Sequence, residues 1–296
     1  ILPILSTMPF GKYGDIVKSV ADLFKKDFVN PKDDSVTVEI TSAAPADTTV
    51  TTELSVSPLS DSPSISSKVA LGWSHPAGFT LDKLEYAPSD KGSFTTETSL
   101  TGVMPGLKLD FKGDDSEKGE LGFTYKHAAA TVNGFLDLYS FSKAELAVGA
   151  GADDVTFGVK TNVTMPKKAG ESVGLDFSIA GGYSIPKMAF LGCEINKGFK
   201  DYALLASYTV DPQLSVAVRV DSAPGKDKTY DTKAQVGCAY KCNATTSLKA
   251  KVDMKKDVNV SVKQALSKDC NLTAFALAPA MNFSALTFGC KFTLGQ

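Results

Sequence analysis

Near its carboxyl end the chain reads Leu286-Thr287-Phe288-Gly289-Cys290-Lys291-Phe292-Thr293-Leu294. Leu286, Phe288, Cys290, Phe292 and Leu294 alternate with Thr287, Gly289, Lys291 and Thr293. In an extended strand successive side chains point to opposite faces, so this stretch has one apolar face and one polar face. The rhythm runs back through the chain. Val36, Val38 and Ile40 alternate with Thr37, Glu39 and Thr41, and Ile65, Val69, Leu71 and Trp73 alternate with Ser66, Lys68 and Gly72. About nineteen such segments of about ten residues fit between Ser35 and Leu294, parted by turn formers at 31–34, 61–63, 113–116, 153–154 and 224–228. Strands of soluble sheets average ~5–6 residues. A tilted strand needs ~9–11 to cross a bilayer. The fold class predicted is therefore all-β, a transmembrane β-barrel of about 19 strands over residues 34–296. The competing reading of the same periodicity is a soluble all-β adhesion or carbohydrate-binding protein.

Composition narrows the function. The 296 residues carry 31 Lys+Arg against 33 Asp+Glu, a net charge of −2, which argues against a nucleic-acid partner. Arg219 is the single arginine, so bidentate phosphate recognition is nearly absent. Two histidines, His75 and His127, leave no His-rich metal site. The five cysteines (Cys193, Cys238, Cys242, Cys270 and Cys290) are odd in number and lack a C-x-x-C, so they read as small apolar residues. Gly149-Ala150-Gly151 is not followed by the helix that a phosphate loop needs. His75, beside Trp73 and Pro76, reads as a strand-end residue. The expectation is no enzyme, no cofactor and no metal. No run of ~20 apolar residues reads as a membrane helix, and that says nothing of a barrel, which hides its apolar residues by alternation. Residues 1–7 are too short for a secretory signal, and Met8 is a candidate initiator.

One segment has a different period. Tyr13, Ile16, Val17, Val20, Leu23, Phe24 and Phe28 fall on one helical face, with Asp15, Lys18, Asp22, Lys25 and Lys26 on the other. The spacing predicts an amphipathic helix over about 13–28, ended by Asn30-Pro31, within an N-terminal segment 1–33. Its apolar face needs cover and its charged face needs water. A barrel lumen supplies both, and a membrane surface does so less fully.

Four stretches carry a resemblance. Tyr13-Gly14-Asp15-Ile16-Val17-Lys18 and Asp22-Leu23-Phe24-Lys25-Lys26 resemble the N-terminal helix of the mitochondrial voltage-dependent anion channel family, although Ala21 stands where relatives often carry a basic residue. Gly106-Leu107-Lys108-Leu109 resembles that family's Gly-Leu-Lys stretch. Tyr240-Lys241-Cys242-Asn243 leading to Ala250-Lys251-Val252-Asp253 resembles its porin motif, with Asn243 in place of Asp. Thr287, Gly289, Phe292 and Leu294 match the polar-x-Gly-x-x-hydrophobic-x-hydrophobic mitochondrial β-signal, which implies Gly289, Phe292 and Leu294 as an element read by outer-membrane assembly machinery. The resemblance implies a barrel of 19 strands, the number the family is known for, with the helix in its lumen and Asp15, Lys18, Asp22 and Lys26 as its pore and gating charges. It implies a channel of the mitochondrial outer membrane. Small metabolites and anions (nucleotides, phosphate, organic acids) would diffuse through it, with partial closure under voltage. A protein-import pore of the same barrel family, or a structural partner in a larger assembly, are the alternatives. The partners implied are the lipid bilayer, small anionic metabolites in transit, the assembly machinery, and a homo-oligomer or larger membrane complex.

If apolar residues face lipid, their neighbours face the lumen. That parity assigns it thirteen basic side chains, among them Lys108, Lys112, Lys249, Lys251 and Lys263, against ten acidic ones. A mildly positive interior predicts mild anion preference. The parity of the segments near 79–86 and 187–195 does not resolve.

Overall fold

The computed structural model describes residues 11–28, 35–57, 64–88, 92–166, 172–225, 229–282 and 285–295. The expectations placed on residues 1–7, Met8 and Asn30-Pro31 lie outside the described residues, as do those on the turns at 31–34 and 61–63 and on part of that at 224–228.

The strands are β1 (Val36–Ala44), β2 (Thr48–Ser57), β3 (Ser64–Ser74), β4 (Phe79–Ala87), β5 (Ser93–Thr101), β6 (Leu107–Asp114) and β7 (Lys118–Lys126). Next come β8 (Ala130–Asp137), β9 (Lys143–Ala152), β10 (Val155–Thr164), β11 (Gly174–Ile185), β12 (Ala189–Asn196) and β13 (Asp201–Thr209). The last are β14 (Leu214–Pro224), β15 (Tyr230–Lys241), β16 (Thr246–Asp253), β17 (Val258–Ser267), β18 (Cys270–Ala278) and β19 (Thr287–Leu294). Each pairs antiparallel with its sequence neighbours in one 19-stranded sheet, and β1 pairs parallel with β19 to close it. An odd number of alternating strands leaves the first and last running the same way. Closure answers the physical demand that no strand edge be left unpaired in lipid.

The pairing register defines two rows of side chains. One row holds Val36, Val38 and Ile40 of β1 with Cys290, Phe292 and Leu294 of β19. It continues around the barrel through residues such as Leu146, Phe157, Leu191, Leu204 and Val218, all of them exposed. The other row holds the charges. Among the described residues, no charged residue of these strands stands on the outward row. A charge facing lipid near the midplane costs ~2–4 kcal/mol, which explains the sorting. The strand cysteines Cys193, Cys238, Cys270 and Cys290 all fall on the outward row.

Two unresolved segments now have physical explanations. Strand β4 carries a bulge: Leu71 opposes Leu84 and Trp73 opposes Leu81, so Asp82 and Lys83 are consecutive and both turn inward. One extra residue flips the alternation, and the apolar residues Leu81 and Leu84 keep their outward places on either side. In β12 the apolar residues Phe190 and Leu191 lie on opposite faces. Phe190 is buried under the N-terminal helical segment, whereas Leu191 faces out.

The closing seam is short and bracketed by glycines. Five residues pair in parallel, from Val36 with Cys290 to Ile40 with Leu294. Lys291 reaches Glu39 at 2.7 Å across the seam on the lumen side. At one end Gly289 has no room for a Cβ, which would strike the Phe275 ring and the Ser35 carbonyl oxygen. At the other end Gly295 has φ +76°, and a Cβ there would strike the Thr41 carbonyl oxygen. Both glycines let the first strand's carbonyls approach closely, and both would resist a shifted register. Gly295→Ala is therefore expected to destabilise the barrel by about 1–3 kcal/mol, the usual range for overpacking. The thermal midpoint of the refolded protein in detergent measures this, and an unchanged midpoint would contradict the close approach at Thr41.

Candidate functional site

The N-terminal segment is shorter in its helix than the spacing predicts. A 3-10 turn covers Tyr13–Asp15 and the α-helix, α1, covers Lys18–Lys25. Between them Val17 takes φ −105°, ψ 7° and breaks the helix. The Asp15 carboxylate accepts the Lys12 backbone N–H at 2.8 Å and caps the turn. At the other end Lys26 is extended and Asp27 has φ +70°.

The segment runs across the strands rather than along them. Tyr13 and Ile16 lie over Gly158 of β10, Val17 over Gly192 of β12, and Leu23 and Phe24 over Gly237 of β15. The break at Val17 lets one apolar stripe follow the curved wall. Tyr13, Ile16, Val17, Val20, Leu23 and Phe24 are all buried in one cluster with Ala147, Ala180, Phe190, Ala203, Leu205 and Ala217. The floor of this seat is made of glycine and alanine on the inward rows of β9 to β15. A Cβ on Gly149 would lie 2.8 Å from the Gly11 carbonyl oxygen, so larger residues would displace the backbone itself. Sequence reasoning missed this seat. Its signal was available: inward positions 147, 149, 158, 180, 192, 203, 217 and 237 are all Ala or Gly.

The opposite face of the segment is exposed. Lys18 pairs with Asp22 at 2.9 Å, one helical turn away. That hydrogen bond holds the Asp22 carboxyl below the ordinary aspartate range. Lys26 projects into water, while its carbonyl oxygen accepts Lys249 Nζ at 3.2 Å. Asp15 is spent partly on its local cap.

The wall lysines divide by partner. Lys108 meets Asp110 at 2.9 Å and Asp82 at 3.9 Å, and Lys112 meets Glu97 at 3.2 Å. Lys263 stands opposite Ser247 and Thr273. Lys249 and Lys251 turn to the end of α1: Lys249 meets Asp27 at 2.7 Å, and Lys251 donates to the Phe24 carbonyl oxygen at 2.8 Å. Arg219 is held by Asp221 at 2.7 Å.

The charge balance differs from the expectation of a positive interior. The register adds Lys83 and Lys118 to the inward row, and also Asp82, Glu85, Glu97, Asp114, Glu194, Asp201 and Asp231; Asp257 falls outside the strands. Among the described residues, the strands then turn fifteen basic and sixteen acidic side chains inward. The bulge in β4 and charges at strand ends account for the change. The signs are unevenly placed. Strands β1 to β5 carry Glu39, Glu53, Asp82, Glu85 and Glu97 against Lys68 and Lys83. Strands β15 to β19 carry Lys233, Lys241, Lys249, Lys251, Lys263 and Lys291 against Asp231 and Asp253.

Gly289, Phe292 and Leu294 share β19 but not a face. Gly289 faces the lumen beneath Phe275, whereas Phe292 and Leu294 face outward beside Val38 and Ile40.

Solved structures similar in fold are porins. A variant of the Rhodopseudomonas blastica porin is 12% identical, covering 81% of this chain and 93% of that chain with a TM-score of 0.51. A second variant of it is 13% identical over 79% and 92%, also with a TM-score of 0.51. At that identity the likeness speaks for the barrel alone. No curated protein matches the sequence. The family model for eukaryotic porin matches residues 10–289. A closed 19-stranded barrel with its charges turned inward and an amphipathic helix seated on the inner wall is the architecture of a membrane pore, and the chain belongs to the eukaryotic porin family.

Proposed function

We propose that the protein is a channel of the mitochondrial outer membrane through which small metabolites and anions, including nucleotides, phosphate and organic acids, diffuse, and which closes partly under voltage. One observation carries this reading. Every strand charge faces an enclosed lumen and none faces lipid. Barrels of ~16–18 strands already leave an aqueous channel, and nineteen is wider still. The near-even wall charge supports weak selectivity, set by size and by the cationic sector of β15 to β19 rather than by a strong net field. Mitochondrial placement and assembly by outer-membrane machinery rest on the family and on the signal-like Gly289, Phe292 and Leu294.

The segment that carries Lys18, Asp22 and Lys26 is the candidate moving part. Residues 11–28 bear four lysines and three aspartates, a net charge of one. Voltage acts on it with ~2.3 kcal/mol per elementary charge per 100 mV at most. Each buried apolar side chain resists with ~1.5–3 kcal/mol, and six are buried. Voltage on this segment alone therefore favours a partial displacement over release of the whole face.

In a planar bilayer the purified protein is expected to form large pores of weak anion preference that close partly at raised voltage of either sign. Absent conductance or strong cation selectivity would overturn the reading. Replacing both Phe292 and Leu294 with aspartate is expected to leave imported chains unassembled in isolated mitochondria. Normal assembly of that double variant, read on native gels, would remove the signal role.

A further inference from the structure

The two ends of the N-terminal segment are held by different physics. The amino end sits on glycine and alanine mainly through apolar contact, with Lys160 over the Tyr13 ring at 5.5 Å. The carboxyl end is gripped by charge. A helix terminates with carbonyl groups that lack an intrahelical partner, and its dipole makes that end negative. Here wall ammonium groups fill the need. Lys251 donates to the Phe24 carbonyl oxygen at 2.8 Å and lies 4.4 Å from the centre of the Phe28 ring. Lys249 donates to the Lys26 carbonyl oxygen at 3.2 Å and pairs with the Asp27 carboxylate at 2.7 Å. Both lysines stand two residues apart on the inward row of β16. Asp27 itself sits at φ +70°, a conformation disfavoured for a side-chain-bearing residue, and the Lys249 contact stabilises it there.

We propose that Lys249 and Lys251 are positioning residues that pin the carboxyl end of α1 to β16, so that the segment moves under voltage by pivoting about this end while its amino end leaves the glycine floor. The inference rests on the reading of the segment as the part that moves. The contacts have the character a pivot needs. Charge-assisted hydrogen bonds to backbone carbonyls are short and directional, and they tolerate rotation of a long lysine stem. The apolar seat has no such tie and can be left in part. The grip also removes these two lysines from the set of free lumen cations. Their loss should change gating more than selectivity, whereas loss of Lys263, on the next strand opposite Ser247 and Thr273, should do the reverse.

The test uses the full chain refolded into bilayers. Lys249→Met with Lys251→Met keeps the aliphatic stems and removes the donors. This double variant is expected to close at lower voltage than the native protein and at least tenfold faster, with little change in reversal potential. Lys263→Met removes one charge from the same wall and is expected to shift reversal potential while leaving the closing voltage alone. Exchanging the partners, Asp27→Lys with Lys249→Asp, is expected to recover part of the native closing voltage. Equal effects of Lys263→Met and the double variant on closing would overturn the pivot, as would native closing in the double variant.

A second readout does not depend on gating. In protein whose five cysteines are serine, Leu23→Cys should react with a small water-soluble thiol reagent at least tenfold faster when Lys249 and Lys251 are methionine. An unchanged rate overturns the pinning even if the native pore closes under voltage. A native pore that never closes, with the faster labelling still seen, overturns the gating reading and leaves the pinning standing.

Discussion

Hydrocarbon cannot solvate charge, and the rest of this structure follows from that constraint. A chain with 22% charged residues crosses the membrane only by sending every strand charge to the other side of the sheet. The sheet must then be rolled, because the charged side needs water and the apolar side needs lipid. Rolling crowds cations and carboxylates onto one inner surface. Neighbouring strands therefore supply partners, as in Lys112 with Glu97, Lys160 with Glu145, and Lys291 with Glu39. Such pairs in water contribute little to stability singly, ~0–1 kcal/mol at the median. Their effect is on the field that a permeating solute meets, which they flatten.

The lumen has two unlike halves. Strands β9 to β15 present small residues and accept the apolar face of the N-terminal segment. Charged side chains flank that stripe on the same strands, and the remaining wall presents charge and polar groups without such a stripe and accepts water. The segment solves two problems together, since its own apolar stripe would be costly in the lumen and the glycine-rich wall would otherwise be a furrow. Burial of Val20 at 0% and Phe24 at 3% exposure shows how closely the two surfaces fit.

Much of the fold was legible in the sequence because lipid imposes a strict period of two. Leu286 to Leu294 and Val36 to Ile40 read as strands without help. The helix was legible in its polarity but not in its length, since Ile16 and Val17 continue the apolar stripe while the chain bends at Val17 to follow the wall. The β4 bulge was written in adjacent Asp82 and Lys83, yet a single chain gives no sign of which neighbour stays in register. The seat was hidden for a different reason. Glycine and alanine suit either face of a strand, and their meaning depends on what lies above them. Lys249 and Lys251 read as two more wall lysines because the backbone carbonyls they bind carry no sequence signature.

The seam has a consequence in time. Val36 finds its closing partner in Cys290, some 250 positions along the chain. At ~5–20 residues per second of synthesis, the first strand waits on the order of ten to fifty seconds for the last one to exist. Until then the sheet has two open edges and cannot remain in lipid as a sheet. Contacts this distant in sequence also form slowly. Both β1 and β19 must exist before the barrel closes, and the open edges have to be kept from pairing with other chains until then. A barrel closed between strands this far apart along the chain is thus committed to making both of them before the sheet can settle in lipid as a closed wall.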